Sequence, residues 1–409
     1  MQRRHVTAAL AVTSVLMLVT AACSSGGSGT TGASAAAGGA TGGGAAAPPN
    51  VPMQQTLGAS EGQLNVIAWA GYAEDGSNDP KVDWVHPFEK QTGCKVNVKI
   101  GNTSDEMVAL MKTGQYDVVS ASGDATLRLV YGGDVAPVNT ALVPNYATIY
   151  GFLKNRAWNS VNGTMYGVPH GWGANLLMWN TDVVKTPPTS WGAVFDPGSA
   201  YSGKITAYDS PIYIADAALY LMKTKPDLGI KNPYALDQTQ FDAAVGLLKQ
   251  QRKTVGEYWA DYTKEVQAFE SGDSVIGTTW QVIANLIQAD KKVSVKAIVP
   301  TEGATGWSDT WMISSKSRHP NCAYRWMDWI VSPQVNADVA QWFGEAPAQS
   351  KSCDLPTMAE HCTTYHAADE SYANQIWYWT TPTTSCLDGR GNQCVDYARW
   401  VQAWTAIKG

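Results

Sequence analysis

Apolar residues along this chain fall into two recurring rhythms: short runs or alternations of the strand kind, and three-to-four spacings of the helix kind. The run Leu64 to Trp69 (LNVIAW) predicts a buried strand. Asp79-Pro80 then offers a helix cap with proline in the first turn, and Val82, Val85 and Phe88 follow at spacing three until Gly93. Pro87 within that stretch predicts a kink or an early stop, because proline removes an amide donor and crowds the preceding turn. Cys94 to Ile100 (CKVNVKI) alternates as a strand does. Thr103-Ser104-Asp105-Glu106 has the form of a capping box, opening a helix that carries Val108, Leu110 and Met111 and stops at Gly114. Tyr116 to Ser120 is the next strand. The order β-α-β-α-β argues for a parallel α/β sheet.

The same grammar returns downstream. Lys204 to Tyr208 reads as a strand, and Tyr213 to Met222 and Gln240 to Lys249 as helices. Thr263 is expected to cap a helix carrying Val266 and Phe269 and closed by Gly272. Ser274 to Trp280 and Val293 to Val299 read as strands around an amphipathic helix ending at Ala289. Thr310 to Ser314 begins a further unit. Pro320 opens a helix holding Cys322, Trp326, Trp329 and Ile330; Ser332-Pro333 opens another with Val335, Val339, Trp342 and Phe343, closed by Gly344. From Lys351 onward the chain is loop-rich, aromatic and cysteine-bearing, and no internal repeat is visible.

The N-terminus carries an address. Arg3, Arg4 and His5 precede the uncharged, apolar stretch Val6 to Ala22, the layout of an export signal. Val19-Thr20-Ala21-Ala22-Cys23 resembles a bacterial lipobox, which would make Cys23 the diacylated mature N-terminus. Thr20 departs from the leucine usual at that place. Ser24 to Pro49 is almost entirely Ser, Gly, Ala, Thr and Pro, so it cannot build a core and reads as a flexible tether. Roughly 35 such residues reach about 30 Å.

Composition narrows the function classes. The chain has 409 residues, 16% charged, with a net charge of −6, so no basic excess points to nucleic acid. It holds 17 Trp against 6 Phe, which suits polar ligands with apolar faces. Beyond Cys23 there are six cysteines: Cys94, Cys322, Cys353, Cys362, Cys386 and Cys394. In an oxidising compartment an even number reads as disulfides, and six allow fifteen pairings. Short separation favours Cys353–Cys362 and Cys386–Cys394, leaving Cys94–Cys322 as the long-range bridge. With no C-x-x-C and scattered histidines, a metal site is not expected, nor is a cofactor.

Several blocks then line up in order. Trp69-Ala70-Gly71-Tyr72 follows the first strand, and Tyr116-Asp117-Val118-Val119 precedes Ser122-Gly123-Asp124. Tyr166-Gly167-Val168-Pro169 runs into Trp172-Gly173-Ala174-Asn175, with Asn180 after another strand, and Thr189-Ser190-Trp191 precedes Tyr201-Ser202-Gly203-Lys204-Ile205. Gly277-Thr278-Thr279-Trp280 is followed by Pro300-Thr301-Glu302-Gly303, Trp307-Ser308-Asp309-Thr310 and Gly344-Glu345-Ala346-Pro347. From about Leu64 to about Gln349 this set resembles the polyamine (spermidine/putrescine) solute-binding proteins of ABC importers. The resemblance implies an α/β, two-lobed, periplasmic-binding-protein-like (type II) fold with a ligand cleft between the lobes. The expected boundaries are 1–22 signal peptide, 23–58 lipidated cysteine and linker, 59–170 plus 306–350 lobe 1, 171–305 lobe 2, and a tail, 351–409, not assigned to either lobe.

What the resemblance implies for the site is a cation held by carboxylates and aromatic faces. Trp69 and Tyr72 match aromatic residues after the first strand, Ser122 a ligand-contacting serine, Asp209 a carboxylate, Trp280 the aromatic wall of the second lobe, and Trp307 with Asp309 an aromatic–carboxylate pair. Two family acids are missing, with Gly71 (beside Ala70) and Ile212 in their places. Conversely, Asp124 and Glu345 stand where tyrosine is common, and Asn175, Trp377 and Trp379 are further candidates for the cleft. The altered acids point to a shorter amine, a quaternary ammonium or a zwitterion.

The expectation is therefore a lipid-anchored, monomeric receptor on the outer face of the cell membrane, delivering a small organic cation to an ABC permease. A sugar-binding receptor of the same architecture is the main rival. Sugars also stack on Trp, but the candidate acids Asp124, Asp209, Asp309 and Glu345 come with no Lys or Arg among the candidates, which favours a cation. A secreted hydrolase is the remaining alternative, with neither H-E-x-x-H nor a P-loop to support it, and His170 reads as structural.

Overall fold

Parallel pairing organises the first third of the chain. In the computed structural model, which describes residues 47–409, Gln63–Ala68 (β1) lies between Lys95–Ile100 (β2) and Val118–Ala121 (β3), parallel to both. The connecting helices are Val85–Thr92 (α1) and Ser104–Lys112 (α2), and Gly123–Tyr131 (α3) follows β3. The expected start of α1 at Asp79-Pro80 is a turn instead, in which Asp79 accepts from the Lys81 amide. Starting at Val85 puts Pro87 in the first turn, where its missing amide has no intrahelical partner to lose, so α1 runs without the expected stop to Gly93. In α2, Thr103 caps the Glu106 amide as expected, but the Glu106 carboxylate turns to the Asn102 amide, so the box is half closed.

Two long strands dominate the middle: Val168–Asn180 (β4) and Ala304–Ile313 (β9), which pair antiparallel. The same sheet also holds Ile205–Tyr208 (β5), Val255–Trp259 (β6), Ile276–Trp280 (β7), Val295–Ile298 (β8), Ala346–Pro347 (β10) and Ile376–Tyr378 (β11), and Ser160–Val161 with Thr164–Met165 forms a separate small hairpin. The sheet order is β2-β1-β3-β9-β4-β7-β5-β6, with β8 and β10 on β4 and β11 on β9. The C-terminal part of β9, from Thr310, pairs with β3; β4 beyond Ala174 pairs with β7 and β8. Each long strand thus belongs to both halves of a two-lobed α/β sheet, and all described residues form one compact unit.

The second half carries Ile214–Thr224 (α4), Gln238–Gln251 (α5), Tyr262–Ser271 (α6) and Gln281–Asp290 (α7). The cap of α6 is Asp261, two residues before the expected Thr263, because Asp261 accepts from the Thr263 amide and hydroxyl. Pro320–Ile330 (α8) and Pro333–Phe343 (α9) return to the first half. The core is aromatic: Phe88, Trp326 and Trp311 meet edge to face at 5.1 and 5.6 Å, a geometry that adds to the area they bury.

The three disulfides are Cys94–Cys322, Cys353–Cys362 and Cys386–Cys394, the pairing that sequence separation favoured. The tail touches both halves. β11 extends β9 in parallel at Ala304–Gly306, and Thr381 Oγ1 accepts from the Leu127 amide of α3. Arg390 then binds Asp237 at the start of α5. The chain ends in Tyr397–Lys408 (α10), whose Tyr397, Trp400, Trp404 and Ile407 are buried at helical spacing. Trp404 packs on Tyr213 and Tyr258, and Trp400 on Phe241.

Expectations for the signal peptide, Cys23 and the first part of the linker lie outside the described residues. Residues 47–58 have no regular structure, yet Gln54 and Gly58 are fastened to the Asn321 side chain.

Candidate functional site

Strand ends supply the site. Trp69 follows β1, Ser122 follows β3, Tyr208 ends β5 and Trp280 ends β7. These are the carboxyl ends of the parallel strands in both halves, where open α/β sheets bind ligands. Trp307 and Asp309 lie two residues apart on β9 and so share a face. Opposite Asp309 the register of β4 shifts, leaving His170 as the extra residue. Such a bulge re-aims side chains, and His170 meets the Tyr72 ring edge-on at 4.5 Å.

Four of the expected residues are in direct contact. Tyr72 Oη lies 2.7 Å from Asp309 Oδ2 and 2.8 Å from Glu345 Oε2. Ser122 donates its hydroxyl to Asp309 Oδ1 at 2.5 Å. It occupies the N-cap position of α3, yet makes no side-chain cap, because that hydroxyl is committed to Asp309. All four are buried, with Asp309 3% and Glu345 1% exposed. Burial raises the Asp309 carboxyl to about 6, and raises Glu345 well above the usual range, with the neighbouring Asp309 charge adding to it. Glu345 Oε1 has no hydrogen-bond partner among the described residues. His170 Nδ1 is 3.9 Å away, but burial drives that imidazole down to about 3, so it is neutral and no counter-ion. Its Nε2 meets Ser120 Oγ at 2.8 Å.

An aromatic wall surrounds the acids. Phe343 stacks on Tyr72 at 4.1 Å and meets Trp307 edge-on at 6.1 Å; Trp307 meets Trp280 at 6.1 Å. Tyr208 tilts against Trp280 and stacks on Trp379 of the tail, both at 5.5 Å. The floor residues Tyr72, Trp307 and Trp379 are buried, whereas Tyr208, Trp280 and Phe343 are partly exposed, as a rim would be; Trp69, also partly exposed, makes no ring contact with this wall among the described residues. The indole N–H groups of Trp69, Trp307 and Trp379 have no partner among the described residues. Two glycines of β4 make the room: a Cβ at Gly171 would sit 2.0 Å from the Glu345 carboxyl carbon, and one at Gly173 2.8 Å from the Trp307 ring.

Trp280 is held by a relay that donates from Trp280 Nε1 to Asn175 Oδ1 (2.9 Å), from Asn175 Nδ2 to Thr305 Oγ1 (2.7 Å), and from Thr305 to Asp216 (2.8 Å). Burial raises Asp216 to about 7. Asn175 therefore orients the wall, a part its sequence position only hinted at. Phe343, Tyr208, Thr305 and Asp216 were not singled out by the sequence. Tyr208 and Phe343 do carry the signal that marks Trp69 and Trp280, an aromatic at the end of an element.

The other candidates are placed differently. Asp124 is buried and raised by desolvation, but Ser104 and Tyr397 donate to its two oxygens (2.9 and 3.3 Å), so it ties α3 to α2 and α10. Asp209 accepts from Trp404 Nε1 at 3.0 Å and is ion-paired with Lys408 Nζ. The expectation that the acids stand without a basic partner therefore fails at Asp209. Among the described residues no Lys or Arg forms an ion pair with Asp309 or Glu345. Trp377 gives its carbonyl to the Tyr234 hydroxyl. Ile212 is core. One pentapeptide, Gly58-Ala59-Ser60-Glu61-Gly62, fits G-x-S-x-G in letters, but it lies ahead of β1 with Ser60 beside the Cys94–Cys322 bridge, not on the strand-to-helix turn a nucleophile needs.

Comparison with known proteins bears on the family and the fold. The family described as bacterial extracellular solute-binding protein matches residues 83–364. The putrescine-binding periplasmic protein SpuD of Pseudomonas aeruginosa is 25% identical over 292 residues, covering 68% of this chain and 75% of that one. The spermidine/putrescine-binding periplasmic protein of Escherichia coli is 23% identical over 330 residues, 77% of this chain and 90% of its own. Among solved structures, the spermidine/putrescine substrate-binding protein PotD of Streptococcus pneumoniae superposes with a TM-score of 0.64 at 16% identity, over 85% of this chain and 99% of that one.

Proposed function

Because this chain belongs to the bacterial extracellular solute-binding proteins, we infer that it is the receptor of an ABC importer and that its solute is a small organic cation, gripped between Asp309, Glu345 and the surrounding rings. Its relatives are substrate-binding transport proteins, not enzymes, and those named above bind polyamines. The observation that carries the reading is the pair of buried carboxyls without a basic partner. A buried, uncompensated charge costs several kcal/mol, and an ammonium ion at the free oxygen of Glu345 would remove that cost. The rings would add about 0.5–2 kcal/mol for each cation–π contact.

The lobes in this reading are 59–170 plus 306–350 and 171–305, and the loaded, closed form is what a permease would recognise. The lipobox-like segment supports attachment through Cys23 to the outer face of the cell membrane. Mass spectrometry of the membrane-extracted protein is expected to find diacylglycerol on Cys23; an unmodified, freely secreted chain removes the anchor.

A thermal-shift screen over amines, quaternary amines, amino acids and sugars tests the ligand class. A ligand present at 100 times its Kd adds about 2.7 kcal/mol of stability. Stabilisation by an amine that is lost in Asp309→Asn, while that variant still folds, is the expected result. Stabilisation by neutral sugars alone sinks the cation reading in favour of a sugar receptor.

A further inference from the structure

The hydrogen bonds behind Trp280 can run in one direction only. An indole nitrogen and an amide nitrogen donate but do not accept. With the Trp280 N–H given to Asn175 Oδ1, the Asn175 amide nitrogen is left facing Thr305. The Thr305 hydroxyl must therefore accept, and its own single proton goes to Asp216. Turning the Asn175 amide over would set N–H against N–H at Trp280 and draw the Thr305 proton away from Asp216, so two of these bonds would be lost. We propose that Thr305 and Asp216 are positioning residues for the ligand: Asp216 is the acceptor that fixes the sense of the chain, and the chain holds the Trp280 ring at one angle in the wall before a ligand arrives. The proposal rests on the cation reading above and extends the site to two residues that act through Trp280.

Strand register puts the chain beside the acids. In the antiparallel pairing Gly171 lies opposite Asp309, Gly173 opposite Trp307 and Asn175 opposite Trp280. These are alternate positions of β4, so their partners share one face of the sheet. Thr305, two residues before Trp307 on β9, is on that face as well, and Asp216 reaches it from the first turn of α4. The row runs from Asp309 through Trp307 to Thr305, with the Trp280 ring 6.1 Å from that of Trp307.

Asn175, Thr305 and Asp216 are all buried. A broken link there leaves a group unpaired rather than hydrated, which is the costly case for a hydrogen bond. Of the wall indoles Trp280, Trp307 and Trp379, Trp280 is the one whose N–H finds a partner among the described residues. Trp259 and Tyr208 also pack on the Trp280 ring, at 5.0 and 5.5 Å. If packing alone fixed the ring, the hydroxyl at position 305 would not matter, so the two accounts predict opposite outcomes.

Hydrogen exchange of the Trp280 indole N–H tests the chain with no ligand present. It is followed by NMR on isotopically labelled full-length protein, with the signal assigned by its loss in Trp280→Phe. Thr305→Val, which keeps the shape and removes the hydroxyl, and Asp216→Leu are each expected to speed exchange by at least about tenfold, with Thr305→Ser within about twofold of the parent. Calorimetry with n-butylamine and tetramethylammonium reads the consequence. Thr305→Val is expected to lose about tenfold in affinity in the parent background and nothing in the Trp280→Phe background, where no indole N–H is left to be held. Asp216→Ala replaces Asp216→Leu if the latter does not fold. Unchanged exchange in Thr305→Val overturns the relay, and faster exchange in that variant alone removes Asp216 from it. An equal loss of affinity with and without the Trp280 N–H overturns the route through Trp280. Failure of the parent to bind either ion overturns the cation reading and the ligand role with it, a result the ligand-free exchange keeps separate from failure of the relay.

Discussion

Tyr72 has one hydroxyl proton and two carboxyls within hydrogen-bond range. It can donate to only one of them, so the other contact closes when that carboxyl is protonated and donates to the phenol oxygen. The Asp309–Glu345 pair therefore keeps a proton in the absence of a cation, in keeping with the raised pKa of both. The groups facing the pair are Tyr72, Ser122 of the β3–α3 junction, the neutral His170 of β4, and, in its electrostatic reach, Asp124 of α3. The sign follows from linkage. Asp309 titrates near 6 in the folded chain and near 3.9 when unfolded, so it holds more proton when folded. Its contribution to stability is present below about 4 and is lost as pH rises through about 6. Binding of a cation moves the other way: the proton must leave, so affinity should rise by up to roughly tenfold per pH unit between about pH 5 and 6. Calorimetry across that window, in buffers of different ionisation enthalpy, should detect proton release on binding. A flat profile in the parent removes the shared proton.

At the scale of elements, the regular βα units were legible because apolar spacing, caps and terminal glycines agreed. β1, β2 and β3, and the close of α6 at Gly272, are examples. β4 was less so: its thirteen residues, VPHGWGANLLMWN, carry proline at the second position and two glycines in the first half, so only the stretch ahead of Asn180 reads as a strand. Those glycines are there because Glu345 and Trp307 pack against the strand. α10 was missed although its aromatic spacing is helical, since the cysteines and polar residues before it suggested loop throughout. For the site, the strand-end aromatics and Asp309 could be read, but Tyr397, which binds Asp124, and Trp404 and Lys408, which bind Asp209, come from the tail, far away in sequence. The bridges that pin these elements should differ in weight. On the chain-entropy account, Cys94–Cys322, with a separation of 228, contributes about 5 kcal/mol, and Cys386–Cys394, with a separation of 8, about 2.5. Guanidinium unfolding of the paired serine variants should show the larger loss for Cys94→Ser/Cys322→Ser. Equal losses would mean that local strain or residual structure, not loop closure, decides.

At the scale of the whole molecule, β4 and β9 are the shared spine, and the tail is a second connection between the halves. It adds β11 beside β9, bonds α3 through Thr381, and ends on the second half through α10. Any relative movement of the halves has to carry this strap along, so the tail sets a limit on opening as well as supplying Trp379 to the wall. No helix among the described residues is long and apolar enough to cross a membrane. The gathering of Trp280, Trp307 and Trp379 in the wall beside the acids has a practical corollary. Indoles are the natural chromophores of proteins, and these stand where a guest would alter their polarity and quenching, so the molecule carries its own optical gauge of occupancy and needs no attached dye.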